Sequence, residues 1–303
     1  MFSLSAADAC HASRIRGNKP LMNTGTRASD AGTVRIGAIT VARMGFGAMR
    51  LCGRGVWGWP DDRQNALQVL RRAVDLGVNF IDTADAYGPH VNEEQIAQAL
   101  CPYPPGLVIA TKGGSTRGGP GEWRRDCRPG RLKQMCEESL RRLQLEAIDL
   151  YQLHAVDPAV PFDEQIGALS ELQEEGKVRH IGLSNVSADQ LAAARSMVDI
   201  ASVQNCYNVG DRASEPVLAL CERDGIAFIP YFPLDAGDIA KTPALTEIAL
   251  AKDASPWQVA LAWLLQRSPV MLPIPGTSSL GHLEENVAAG RIRLNPAELE
   301  KLA

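Results

Sequence analysis

From residue 34 onward, short runs of Val, Ile, Leu and aromatic residues alternate with longer segments whose apolar positions recur at helical spacing. Residues 62–76 show the helical half of the pattern. Ala66, Leu67, Val69, Leu70, Ala73, Val74 and Leu76 share a face, Arg and Asp lie elsewhere, and Gly77 supplies a C-terminal stop. The stretch 34–37 followed by 39–47 predicts an N-terminal β-hairpin leading into a first strand at 44–47. The unit then repeats, with strands over 80–84, 107–112, 148–154, 180–185, 201–208, 226–233 and 270–276. Helices are predicted over 92–100, 129–143, 162–175, 188–198, 215–224, two segments within 242–267, 281–289 and a short terminal one at 295–303. Eight strands with helices between them predict an α/β fold, a (β/α)8 TIM barrel with an N-terminal β-hairpin, as one domain over residues 33–303. A doubly wound open sheet shares this alternation and stays as the structural alternative.

Two connections are long. Residues 113–130 are rich in glycine, and residues 51–61 carry Trp57 and Trp59 around Gly58. Both follow strand C-termini, where a barrel keeps its active-site loops, so Trp57, Trp59 and Trp123 are candidate pocket walls or lid packing.

Composition narrows the partners. With 45% hydrophobic and 22% charged residues the chain reads as an ordinary globular protein. A net charge of -4 disfavours nucleic acid, whose backbone calls for a basic surface. No run approaches the ~20 apolar residues that span a bilayer. The seven cysteines are scattered without ligand spacing, which predicts a reducing, cytoplasmic compartment and no metal site. Residues 1–32, with Arg14, Arg16, Lys19 and Arg27 among small polar residues, predict a disordered tail. An upstream start with Met22 as the true initiator, or an organellar transit segment, are the other readings of that stretch. Oligomeric state leaves no signal.

Candidate chemistry gathers at strand ends. An apolar strand ends in Asp82, with Tyr87 five residues later; the next ends in Lys112, the one after in His154. Singly, each has a structural reading: a loop tyrosine, a buried ion pair, a hydrogen-bonded core histidine. Ionisable side chains ending three consecutive barrel strands, however, converge on one mouth.

The strings FIDTADAYG, TKGG, DLYQLH, IGLSN, VQNCYN and IPGTSS with HLEEN follow one another at the ends of successive predicted strands. In this order they resemble the aldo-keto reductase superfamily over nearly the whole chain from residue 34. The resemblance implies that Asp82, Tyr87, Lys112 and His154 are the catalytic tetrad. Hydride reduction of a carbonyl needs a general acid at the oxygen, and Tyr87 suits that role. A nearby Lys112 cation is expected to lower the phenol's pKa below its usual value of about 10. Asp82 would orient Lys112, and His154 would hydrogen-bond the substrate oxygen.

The same resemblance implies NADPH (NADP+) as cofactor. Gly47, Met49, Asp82, Ser184, Asn185 and Gln204 would lie about the nicotinamide, with Tyr231 stacked on its ring. Gly276, Thr277, Ser278, Ser279, Glu285 and Asn286 would hold the adenosine and phosphate at a helix N-terminus. Gly276 and His282 stand where some members carry Lys and Arg on the 2′-phosphate, which keeps NADH in view as the lesser expectation. The strings GFGAMRLCG, YGPHV, PYFPL and VALAWLLQRSP resemble the bacterial branch that includes pyridoxal reductases (pyridoxine 4-dehydrogenases). The implied activity is reduction of a small-molecule aldehyde or ketone, pyridoxal first among them. A cofactor-binding sensor or regulatory subunit on the same fold is the alternative.

Overall fold

The computed structural model describes residues 25–235, 237, 239 and 242–302. Strands β1 (Thr33–Ile36) and β2 (Ile39–Ala42) form an antiparallel hairpin. Strands β3 (Phe46–Gly47), β4 (Phe80–Asp82) and β5 (Val108–Gly113) begin a parallel sheet. A second antiparallel hairpin follows, β6 (Ser115–Gly119) and β7 (Glu122–Arg125). Strands β8 (Ile148–Leu153), β9 (Val178–Ser184), β10 (Ile200–Cys206) and β11 (Ala227–Tyr231) complete the parallel sheet, in the order β3-β4-β5-β8-β9-β10-β11.

Helices α1 (Arg63–Asp75), α2 (Val91–Leu100), α3 (Pro129–Leu143), α4 (Phe162–Glu174), α5 (Ala188–Arg195) and α6 (Glu215–Asp224) lie between these strands. Helices α7 (Pro243–Ala251), α8 (Pro256–Arg267), α9 (Leu280–Ala288) and α10 (Pro296–Lys301) finish the chain. No helix among the described residues is long and apolar enough to cross a membrane.

The predicted eighth strand, 270–276, is not a regular strand. Pro273 and Pro275 have no N–H to give to a ladder, so pairing reduces to single bonds. Those bonds still close the ring. Phe228 N donates to Val270 O at 2.9 Å, Leu272 N to Phe228 O at 2.8 Å, and Gly45 N to Pro273 O at 3.0 Å. The barrel predicted from the alternation therefore stands, with its eighth stave irregular and its first shortened from 44–47 to Phe46–Gly47. The connection 113–130, predicted as a loop, folds as the β6–β7 hairpin around a Pro120-Gly121 turn.

Period-two alternation sorts each strand into two faces. Ile81, Ile109, Tyr151 and Val203 point outward, into a cluster shared with Leu70, Leu132 and Leu169 of the helices. Phe80, Val108, Ala110, Leu150, Ala227 and Ile229 point inward and pack with Val34, Ile36 and Val41 of the hairpin, which plugs one end of the barrel. The hairpin turns at Gly37, whose φ is +57 and where a Cβ would stand 2.4 Å from the His180 ring. Continuing along the inward face toward the other end, the residues become polar: Asp82 after Phe80, Lys112 after Ala110, Gln152 after Leu150, Gln204 after Ser202, Tyr231 after Ile229.

Of the tail predicted over residues 1–32, residues 1–24 lie outside the described residues. Residues 25–32 pack on the domain: Ala28 is buried, its N donates to Leu76 O at 2.9 Å, and Asp30 pairs with Arg291 at 2.6 Å.

Candidate active site

The polar inner residues meet around the Lys112 ammonium, which is fully buried. It donates to Asp82 Oδ2 at 2.7 Å, to the carbonyl of Thr83 at 2.9 Å and toward the Tyr87 hydroxyl at 3.3 Å, so each of its three hydrogens has an acceptor. Asp82 Oδ1 accepts from Gln204 Nε2 at 2.8 Å and Gln152 Nε2 at 3.3 Å. Tyr87 reaches the ammonium because the chain turns after β4, with Tyr87 N donating to Ala84 O at 3.1 Å. His154 follows β8, held by its N–H to Gly113 O at 2.9 Å, and its ring stands edge-on to Tyr87 with centroids 5.8 Å apart.

Burial and charge set the protonation states. Burial pushes the Tyr87 phenol above its ordinary value; Lys112 pulls it down, Asp82 up, and the balance is upward. The lowering expected from Lys112 is thus outweighed by desolvation, and Tyr87 keeps its proton. Burial opposes charge on Lys112, but Asp82 and Tyr87 together hold its pKa above the usual lysine range. His154 lies well below the ordinary histidine value, through burial first and then Lys112 and Arg117, so its imidazole is neutral. Its Nδ1 is buried without a partner among the described residues.

One cavity of about 560 Å³ opens on this cluster. Tyr87, Trp123 and His154 line it at one end, and Thr277, Ser278, His282, Glu285 and Asn286 line it beside the first turns of α9. Gly47, Met49, Asp82, Ser184, Asn185, Gln204, Tyr231 and Gly276 line it as well. Ser279 does not; its hydroxyl caps α9, accepting from His282 N at 3.3 Å. Ser184, Asn185 and Tyr231 form one chain, in which Tyr231 donates to Asn185 Oδ1 at 2.8 Å and Asn185 Nδ2 donates to Ser184 Oγ and His154 O, both at 3.0 Å.

Gly47 and Gly276 approach so closely that a Cβ on Gly276 would fall 2.5 Å from Gly47 O. Glycine at 276 is therefore dictated by backbone contact, and the Arg50 Cγ lies 3.4 Å from that same Cβ position. Sequence reasoning passed over Arg50, which lines the cavity, and with it Phe232, Pro233, Leu234 and Trp257. It also passed over Gln152, although its spacing two residues after inward Leu150 and two before His154 carries the signal. Of the three tryptophans predicted near the pocket only Trp123 lines it; Trp59 lies against Arg63 at 4.4 Å and Trp57 near Arg117 at 5.8 Å. Among the described residues no cluster of His, Cys, Asp and Glu is arranged to hold a metal ion.

A sequence model of the Aldo/keto reductase family matches residues 43–303. The chain is 48% identical over 287 residues to an uncharacterized oxidoreductase of Schizosaccharomyces pombe, covering 94% of this chain and 93% of the relative. It is 45% identical over 276 residues to pyridoxine 4-dehydrogenase of Escherichia coli, covering 89% and 96%. Among solved structures, glycerol dehydrogenase AKR11B4 from Gluconobacter oxydans superposes with a TM-score of 0.81 at 26% identity, covering 90% of this chain and 94% of that one. An aldo-keto reductase from Klebsiella pneumoniae in complex with NADPH superposes with a TM-score of 0.77 at 28% identity, covering 89% and 93%. With the barrel, the convergent side chains and a family match over most of its length, the chain belongs to the aldo/keto reductase family.

Proposed function

We propose that the protein reduces a small-molecule aldehyde or ketone to the alcohol using NADPH, with Tyr87 as general acid and pyridoxal as the first substrate to try. The observation that carries this reading is the buried chain from Asp82 through Lys112 to Tyr87, at 2.7 Å and 3.3 Å, beside a neutral His154 at the end of the cavity. The match to pyridoxine 4-dehydrogenase and to an NADPH complex supports the substrate class and the cofactor.

The lining residues fit a nicotinamide dinucleotide. Gly47 and Gly276 leave backbone, without side chains, along the cavity wall, and the first turn of α9 offers N–H groups suited to a phosphate. Ser184, Asn185, Gln204 and Tyr231 would hold the nicotinamide end, and Thr277, Ser278, Glu285 and Asn286 the adenosine end. Bound there, NADPH supplies the hydride. A preference for NADPH over NADH is supported by Arg50 on the lining, a guanidinium that can meet a 2′-phosphate where position 276 admits no side chain.

The protein's share of the chemistry is the proton. As the carbonyl carbon is reduced, negative charge develops on its oxygen, which takes the Tyr87 hydroxyl proton. A donor pushed upward in pKa stays protonated until the alkoxide forms. The phenolate left behind lies beside the Lys112 ammonium, which Asp82 keeps charged. His154 Nδ1 has no partner among the described residues, which favours the neutral form with its proton on Nε2, able to offer that N–H to the same oxygen. The six described cysteines are free thiols, in keeping with a cytoplasmic setting.

Following NADPH absorbance against a panel of aldehydes including pyridoxal tests the activity, and Tyr87→Phe tests the acid. The substitution keeps the ring, so fold and NADPH affinity should be preserved while turnover falls about 100- to 10,000-fold. A variant that kept more than about a tenth of wild-type turnover, with chemistry rate-limiting, would remove Tyr87 as the acid.

A further inference from the structure

The β6–β7 hairpin brings Trp123 to the cavity on an exposed strand, with 44% of the residue accessible. A two-stranded hairpin alone is marginally stable in water, so something else must fix the ring. Arg117, in β6, does so with all five of its N–H donors on backbone carbonyls. Nε donates to Glu122 O at 3.0 Å; Nη1 to Val56 O at 2.8 Å and Ala86 O at 3.2 Å; Nη2 to Gly55 O at 2.8 Å and Gly119 O at 3.4 Å. Three segments are thereby tied at one point: the hairpin, the 52–59 loop, and the turn whose next residue is Tyr87. The guanidinium also lies on the Trp123 ring, 3.9 Å from its centroid.

Trp123 in turn stands edge-on to both Tyr87 and His154, at 6.3 Å and 5.9 Å between centroids. With the Tyr87–His154 pair at 5.8 Å, three mutually edge-on rings line the same cavity together. A carbonyl oxygen that meets Tyr87 and His154 directs its substituent along Trp123. A flat ring gains an aromatic contact there, whereas a short aliphatic chain ends before it. We propose that Arg117 is a positioning residue that locks Trp123 as a specificity wall, selecting aromatic and heteroaromatic aldehydes over small aliphatic ones. The selection half rests on the carbonyl-reductase reading; the locking half does not.

The test uses the full chain with NADPH and two probes, benzaldehyde and propanal, in wild type, Arg117→Lys, Trp123→Ala and the double variant. Lysine keeps the charge but has neither the planar fork nor the five donors. The benzaldehyde-to-propanal ratio of kcat/KM should fall about 3- to 10-fold in each single variant, the size of one aromatic contact, chiefly through KM. The double variant should lose no more than Trp123→Ala alone, because both act through one contact. Hydrogen exchange of amides 115–125 should quicken at least about tenfold in Arg117→Lys whether or not a substrate is known. An unchanged ratio overturns the specificity wall, and unchanged exchange overturns the lock. Wild type that oxidises NADPH with neither aldehyde nor any other carbonyl overturns the reductase reading and the selection half with it, leaving the lock to be decided by exchange.

Discussion

Replacing Asp82 by Asn removes one charge from a site where every neighbour is a donor. In the native protein Asp82 is 2% exposed and accepts from Lys112 at 2.7 Å, Gln204 at 2.8 Å and Gln152 at 3.3 Å. Asparagine has one acceptor oxygen. If that oxygen faces Lys112, its own NH2 group confronts the NH2 groups of Gln204 and Gln152, and relieving the conflict requires both amides to reverse. The counter-ion cannot be restored by any rotation. Removing one partner of a buried ion pair typically costs about 3–5 kcal/mol. Part of that cost is avoided if Lys112 gives up its proton, because burial, the largest influence on it, is then no longer opposed by a carboxylate. A neutral Lys112 supports the Tyr87 phenolate poorly, so loss of stability and loss of rate share a cause.

Two measurements separate these consequences. Urea unfolding of Asp82→Asn should show a lower midpoint with an unchanged slope. The alkaline limb of the reduction rate should move to lower pH, since turnover needs charged Lys112 and its pKa falls in the variant; the loss at neutral pH should stay smaller than that of Tyr87→Phe. A variant within about 1 kcal/mol of wild-type stability and with the wild-type pH profile would refute the ion pair as the source of the Lys112 charge.

Two further outcomes are expected. Arg50→Gln should weaken NADPH binding more than NADH binding, by about 10-fold or less, as titration of tryptophan fluorescence would report; equal losses would move Arg50 away from the 2′-phosphate. Asp85→Asn should raise the urea midpoint at pH 8, with the gain shrinking toward pH 4. Asp85 is buried, its Oδ1 has no partner among the described residues, and burial first, then Glu93, raise its pKa well above 3.8, so the folded protein holds a proton that the unfolded chain releases. Stability then falls by about 1.4 kcal/mol for each pH unit between the unfolded and folded pKa values, and Asn abolishes that slope. Identical pH dependence in the two proteins would show that Asp85 is ionised when folded.

The barrel was legible because its signal is redundant. Each helix repeats one apolar face and each strand one apolar run, so an error at any single element leaves the alternation intact. The eighth strand shows the limit: Val270, Met271, Leu272 and Ile274 carry the apolar signal, yet Pro273 and Pro275 withhold the donors a ladder requires. The hairpin at 115–125 was illegible for the opposite reason, since β7 is exposed along its whole length and has no buried face to imprint a pattern. Convergence of Asp82, Lys112 and His154 followed from strand ends alone. Arg50 and Trp257, on the cavity wall, come from a short 3-10 helix over Ala48–Leu51 and from the start of α8, whose directions the sequence does not encode. Trp57 and Trp59 illustrate the same gap: they occupy the expected loop without lining the cavity, Trp57 lying near Arg117 and Trp59 against Arg63.

The Tyr87 pKa exposes a subtler gap, because the sign of a shift depends on depth and not on neighbours alone. Lys112 acts on Tyr87 as anticipated from its place on the next strand, and still loses to burial. Burial is also the first cause of the depressed His154 value, and it opposes the charge on Lys112. One influence, exclusion of water by the inward face of the barrel, therefore presses every group toward neutrality, and only the Asp82–Lys112 pair resists it, because each charge has the other at 2.7 Å. The site then contains a single compensated ion pair with two neutral hydrogen-bond donors above it. That state suits a reaction in which negative charge appears on an oxygen only during the chemical step: before it, no uncompensated charge sits at the cavity floor, and after it, the Lys112 ammonium is already in place beside the new phenolate.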